Sequence, residues 1–440
     1  MNSSAQAAVD APPVHAGLHP LWHKLPLFLI GLGGLGGLIG AFTNKEQFAN
    51  SYLLAFTFFL SLCLGGLFLT ILHHLFDAQW SVPTRRVTEH MAFLLPVMAL
   101  LFIPIAILAK TIYPWMQTTP EADHALHAKQ PIFTPTGFYL VAVLVFAIWG
   151  WLSWRLRYWS IQQDHAKAGA STEGKMVFPE HLIVAVSNFL GNPAEKNLPV
   201  LCTRMMRNHA GYGVYLFALT LTLGIIMWVK AIEHQWFSTM YGVYYFAGSV
   251  WTTLATLYVI IAVLKRTGPL AQVAQKKTFH DIGVLLFAFT VFYAYIAFSQ
   301  YFMIWNANIP EETFWYVKRE VGSWKQIGML LIFGHFLFPF LSLLRIDAKL
   351  NLSLMVPLAA WAWVMHFCDM SFNIMPAVVR KDGFSITFVD VACMAFFGGV
   401  LSFVFLKYFH AHSPYPKNDP RLGEALGVHH HAPPDGKNGH

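Results

Sequence analysis

The sequence predicts an all-α protein made almost entirely of membrane-spanning helices, about ten in number. The first observation is a succession of apolar stretches, roughly Leu25 to Phe42, Tyr52 to Phe76, Met91 to Ala109, Gly137 to Trp154, Gly211 to Val229, Tyr241 to Leu264, Ile282 to Trp305, Gln326 to Leu344, Leu350 to Met370 and Phe384 to Phe409. Each approaches the roughly twenty residues a helix needs to cross a bilayer. The second is composition: 56% hydrophobic and 16% aromatic residues against only 12% charged would make a soluble protein of 440 residues precipitate. The third is charge placement. When loops are assigned to alternating sides, Arg85, Arg86, Arg155, Arg157, Lys167, Lys175, Lys196, Arg204, Arg207, Lys265, Arg266, Lys276 and Lys277 fall on one side with both tails. The positive-inside rule makes that side cytoplasmic, with both termini inside. The surplus of +7 is then a topology signal, and no soluble basic face for nucleic acid exists.

Taken in order, residues 1 to 22 read as a disordered tail without the basic start of a cleavable signal, and residues 23 to 410 as the membrane domain. The first span carries Gly31, Gly34, Gly37 and Gly40 at three-residue spacing. No strand precedes them and no Lys-Ser/Thr ending follows, so this is no phosphate loop. A face without side chains instead invites close helix packing, against a partner subunit or this chain's own helices. His73, His74 and Asp77 close the second span, and Glu89 and His90 open the third. The hydrophilic stretch from Arg155 to Ala210 includes Val177 to Pro193, short enough to lie in the interface. Cys63, Cys202, Cys368 and Cys393 have no CxxC spacing and read as small core residues. Residues 411 to 440, with His429, His430 and His431, read as a disordered His-rich tail.

Ionisable residues inside spans cost about 2.5 to 3.5 kcal/mol each on insertion scales and so mark pathways. Read by depth, His280 and Asp281 at the start of the seventh span, His335 in the eighth, His366 and Asp369 in the ninth, and Asp390 in the tenth form a ladder across the membrane. Histidine titrates near neutrality and a neighbouring carboxylate orients it, which is what a proton path requires. His73, His74, Asp77, Glu89 and His90 would then be a cytoplasmic half-channel. Bis-His haem would need histidine pairs at matching depth on facing helices, whereas His335 stands alone at mid-depth. A secondary transporter would need paired Gly/Pro-broken helices, and Pro96, Pro104 and Pro339 do not correspond in position. Neither a metal ligand set nor a catalytic residue is read. A faint repeat links Arg85 to Pro96 with Lys276 to Phe287, four spans apart. It predicts two parallel four-helix bundles, spans two to five (about 52 to 230) and six to nine (about 240 to 370), flanked by spans one and ten.

The stretch PheTyrAlaTyrIleAlaPheSerGlnTyr at Phe292 to Tyr301, continuing to Tyr316, together with the ten-span layout, resembles the NrfD-type (polysulfide reductase) membrane subunits. Within that family it is most similar to the F subunit of alternative complex III, the bacterial quinol:electron-acceptor oxidoreductase. The resemblance covers about Lys24 to His410. It implies a bacterial inner-membrane respiratory complex with a paralogous NrfD-like subunit, a periplasmic iron–sulfur subunit, c-type cytochrome subunits and a quinol substrate. The haem c groups and iron–sulfur clusters would belong to partners, leaving a quinol or quinone as the one cofactor this chain could itself hold, while the family's quinol pocket is assigned to the paralogue. The chain's duty would be scaffolding plus proton conduction. Glu311 and Glu312 beside Trp315 and Tyr316 would form an acidic, aromatic surface at the outer interface for docking a periplasmic partner.

Overall fold

The computed structural model describes residues 21–118, 123–130, 132–166 and 198–427. Val177 to Pro193, the first twenty residues and the terminal His run lie outside the described residues. Ten helices long and apolar enough to cross a membrane are present: α1 (Leu21–Thr43), α2 (Lys45–Phe76), α3 (Arg85–Ile107), α4 (Pro135–His165), α5 (Leu198–Trp228), α6 (Tyr241–Thr267), α7 (Lys276–Ala307), α8 (Trp324–Leu343), α9 (Leu352–Val378) and α10 (Phe388–Ala411). No strand occurs among the described residues.

Several helices outrun their apolar stretches. α2 begins at Lys45 rather than Tyr52, α3 at Arg85 rather than Met91, α4 runs on to His165 and α5 begins at Leu198. Hydropathy marks lipid contact, whereas a helix continues as long as its polar extensions find partners. In α3 they do: Arg86 holds Glu89 at 2.7 Å, and Arg85 Nε lies 3.1 Å from the other Glu89 oxygen.

α2 lies at the centre, buried along most of its length. Around it, α2 meets α3 and α5, α4 meets α3 and α5, and across the core α6 meets α7 and α9 while α8 packs on α7 and α9. The two groups join where α6 lies against α2. Thr253 bonds the Leu62 carbonyl and Tyr245 that of Thr57. α1 and α10 flank this core, packed on each other and on α2.

Of the expected glycines only Gly40 lies in the tight α1–α10 contact, which otherwise uses Gly33 and Gly36. A Cβ on Gly33 would stand 2.4 Å from the Phe396 amide nitrogen, one on Gly36 2.7 Å from the Ala392 methyl and one on Gly40 2.9 Å from Val389. Opposite them, Gly399 lets α10 approach the α1 backbone, where a Cβ would meet Ile30 and Pro26 at 2.8 Å. Gly31 has open space, and Gly34 and Gly37 meet only ring atoms at ordinary distances. A strict three-residue spacing rotates steadily around a 3.6-residue helix. The i, i+3, i+7 set of Gly33, Gly36 and Gly40 stays on one face.

Proline breaks α3 and reshapes α8. Pro96 and Pro104 lack the N–H that would bond one turn back, and α3 turns at Phe93–Leu94 and again at Phe102. In α8, Pro339 would crowd the His335 carbonyl, and the preceding Leu331–Leu337 widens into a π-helical stretch. The Gly334 carbonyl takes its hydrogen bond from Trp361 Nε1 at 2.8 Å. α9 approaches closely here because a Cβ on Gly334 would meet Met365 at 2.7 Å.

Residues 412–427, expected as disordered tail, instead strap the basic end of the bundle. Asn418 Nδ2 donates to the carbonyls of Gln163, Asp164 and Ala166, and the Lys417 amide donates to the Asp164 carboxylate. Asp419 is buried against Arg85, and Tyr415, Leu422 and Leu426 are buried. Burial alone would raise the Asp419 carboxyl, but Arg85 and Arg421 hold it below the ordinary range.

Candidate functional site

The π-helical stretch of α8 turns His335 inward between two aromatic rings. Its ring stacks on Trp251 of α6 at 3.9 Å and on Tyr293 of α7 at 3.8 Å between centroids. Trp251 is itself fixed by a 2.9 Å hydrogen bond from Nε1 to Thr290. From α9, His366 and Asp369 sit one turn apart and face the same space. His366 Nε2 pairs with Ser61 Oγ of α2 at 2.8 Å, and Gly248 of α6 leaves room beside the imidazole, where a Cβ would stand 3.7 Å from Nδ1. Asp369 Oδ1 accepts from the Tyr244 hydroxyl and from Asn373 Nδ2 at 3.2 Å. Tyr244 also bonds Tyr293 at 2.9 Å, so α6, α7 and α9 converge on one carboxylate.

All three residues of this cluster are fully buried. Both ring nitrogens of His335, Nδ1 of His366 and Oδ2 of Asp369 find no hydrogen-bond partner within the described residues. Orphaned polar atoms in a low-dielectric interior cost on the order of 1 to 3 kcal/mol each and are rare where packing is the only task. Donor atoms of His335, His366 and Asp369 lie within 4.8 Å of one another. Two imidazoles and a carboxylate suit a transition ion and equally suit proton exchange.

His335 is therefore not alone at mid-depth, as the sequence suggested. The ladder's end members stand apart from the cluster. Asp390 accepts from Ser51 at 2.7 Å and from Arg380 at 2.5 Å, and it completes a capping box with Thr387 at the start of α10. That is a structural ion pair and helix cap. His280 and Asp281 pair with each other at 3.2 Å at the basic end of α7, both partly exposed.

On the side away from the chain ends, hydrogen bonds lead from the cluster to the surface. Asn373 accepts from Tyr241 at 2.9 Å, and its carbonyl accepts from Arg319 at 2.8 Å. Arg319 pairs with Glu233 at 3.0 Å, and Glu233 with the half-exposed Lys318 at 2.9 Å. Tyr241, Tyr244, Asn373, Ser61, Glu233 and Arg319 were not singled out from sequence. Tyr244 and Ser61 sit in spans far from His366 and Asp369, and no spacing rule links them.

The presumed half-channel residues fall into a buried ion network. His73 Nδ1 bonds Ser81 at 2.6 Å and its Nε2 lies 3.3 Å from Arg85. His74 packs edge-on against His73 with neither nitrogen partnered. Glu89 lies between Arg85 and Arg86, and Arg86 also holds Asp164. Asp77 is at the rim, paired with Arg207 at 2.5 Å and Arg421 at 2.7 Å. His90 is set apart, with Nδ1 3.4 Å from Arg157 Nε and its ring stacked 6.0 Å from His412. Burial, and then Arg157, push the His412 imidazole down to about 4.

Trp315 is not available for docking. It is buried, stacked on Trp236 at 4.6 Å and covered by the Arg319 guanidinium at 3.5 Å. In the short helix Pro310–Lys318 the apolar side turns inward, leaving Glu311 exposed. The Glu312 backbone carbonyl accepts from Trp236, and Tyr316 accepts from Gln300 at 3.2 Å.

A scan against models of known protein families gives no match, and a search of curated proteins gives none either. Fold and site define an α-helical membrane protein with ten spanning helices among its described residues and a buried His/Asp/Tyr cluster at mid-bundle.

Proposed function

We propose that this chain is the integral membrane subunit of a quinol-oxidising respiratory complex of the alternative complex III type, in the bacterial inner membrane with both termini cytoplasmic. It scaffolds the complex and carries protons, while a paralogous NrfD-like subunit, a periplasmic iron–sulfur subunit and c-type cytochromes carry electrons from quinol.

The observation that supports this reading most is the cluster itself. A bundle that only needed to pack would place Leu or Phe where His335, His366 and Asp369 stand, since each ionisable group inside a span is costly. Held by Tyr244, Ser61 and Asn373 yet left with open donor and acceptor sites, these groups are arranged to take up and release protons. The Asn373, Tyr241, Arg319 and Glu233 series gives the outward half of a path. Asp390, paired with Arg380 at the start of α10, lies outside this series.

The membership claim is tested by dissolving the native membrane in mild detergent and identifying by mass spectrometry what copurifies with the chain. Iron–sulfur and multihaem c-type partners are expected. Isolation alone or as a homo-oligomer would overturn this reading and favour a self-sufficient ion-coupled transporter.

A further inference from the structure

Two lysines lie together at the far end of α4 and α5, away from the chain ends. Lys129 follows the short helix His124–Ala128 six residues before α4, and Lys230 opens the turn Lys230–Glu233 immediately after α5. Both ammonium groups lie over the same two rings. Lys129 Nζ is 3.9 Å from the Phe237 centroid and 5.5 Å from that of Phe133, and Lys230 Nζ is 5.4 Å and 5.7 Å away. Lys230 is only 6% exposed.

Nearby negative charge is already committed. Asp123 accepts from His234 Nε2 at 2.7 Å, from Gln235 Nε2 at 3.4 Å and from the amides of Ala125 and Leu126 at 2.9 and 3.2 Å. Lys129 donates to the His234 carbonyl. Lys230 has no carboxylate partner among the described residues, and burial, followed by the charge of Lys129, pushes its amine down to about 7. Two amines this close cannot both carry full charge without a counter-ion, and a single anion bridging them would let both do so.

The surroundings select the anion. Phe237, under both amines, is 49% exposed, Ile132 follows Lys129 by three residues at 46% exposed, and Leu140, Val143 and Leu144 make an exposed apolar face of α4. A phospholipid carries its phosphate at the end of the spanning helices and runs its acyl chains along such a flank. We propose that the Lys129–Lys230 pair binds the phosphate of an anionic phospholipid whose chains run down the outer surface of α4. A phosphodiester offers one negative charge and two acceptors, enough to engage both amines at once. This inference does not depend on the proton-path reading.

The test is native mass spectrometry of the full chain, extracted in mild detergent and exchanged into nanodiscs of phosphatidylcholine or phosphatidylcholine with phosphatidylglycerol. Phosphatidylglycerol should be retained about tenfold better than phosphatidylcholine, and Lys129→Gln with Lys230→Gln should abolish that preference. Lys230→Met serves as the folding control. In phosphatidylcholine alone it should melt no lower than the parent, because it removes an uncompensated buried amine. Equal retention of the two lipids, or a preference that survives in the double variant, would overturn the proposal. Occupation of the site by an acidic partner segment or by free inorganic phosphate, without lipid preference, would overturn it as well.

Discussion

At the scale of single residues, the account turns on how few side chains fix the buried carboxylate and its two imidazoles. Asp369 depends on Tyr244 and Asn373, and His366 on Ser61. His335 depends on a ring stack and on the π-helical turn that points it inward. Trp361 holds that turn by donating to the freed Gly334 carbonyl. Trp361→Phe keeps the ring and orphans the carbonyl, so the chain should lose about 1 to 3 kcal/mol of stability, read as a lower melting midpoint in detergent. An unchanged midpoint would mean that the π stretch needs no such bond. His366 and Asp369 were legible in the sequence because they are ionisable and one helical turn apart inside an apolar run. Tyr244, Ser61 and Asn373 were not, because hydroxyls and amides are common in spans and nothing in the chain marks two of them as meeting Asp369 and the third as meeting His366. Asp390 stood out for the same reason as Asp369, but Arg380 in the preceding loop makes it an ion pair and Thr387 makes it a helix cap.

At the scale of the element, α1 shows what spacing does and does not reveal. A glycine-rich span announced close packing, yet the face was set by the helical period rather than by the most regular glycine series. Gly36→Leu would drive a branched side chain into Ala392, where even a Cβ stands at 2.7 Å. Overpacking of this kind costs about 1 to 3 kcal/mol and should loosen α1 from α10. Gly31→Leu, pointing into open space, should leave stability unchanged. Crosslinking between cysteines placed on α1 and α10 would report both, and equal crosslinking in the two variants would refute this choice of face. The number and order of spanning helices were legible because each apolar run is long and bounded by charge. Their true ends were not, since Arg85, Arg86 and Glu89 prolong α3 by satisfying one another, which hydropathy counts as polar loop.

At the scale of the whole molecule, the strap of residues 412–427 ties α2, α3 and α4 together at the basic end, with Arg421 on Asp77, Asp419 on Arg85, and Lys417 and Asn418 on Gln163 and Asp164. Asp419 is held below its ordinary value, so its contribution is complete above the unfolded carboxylate pKa of about 4 and is lost as pH falls through the lower folded value. Limited proteolysis should therefore leave the strap intact at pH 7 and cut it as the pH drops below about 4. Removing one partner of a buried pair typically costs about 3 to 5 kcal/mol, so Arg85→Ala should expose the strap to protease at pH 7. An uncut strap in Arg85→Ala would contradict that role. The central claim, however, is that the mid-bundle cluster moves protons in step with electrons. Its most direct test is the number of protons released per electron when the complex, reconstituted in vesicles, oxidises quinol, compared between the parent and Asp369→Asn. We expect the variant to assemble fully and release fewer protons per electron. An assembled variant with unchanged stoichiometry would contradict the account.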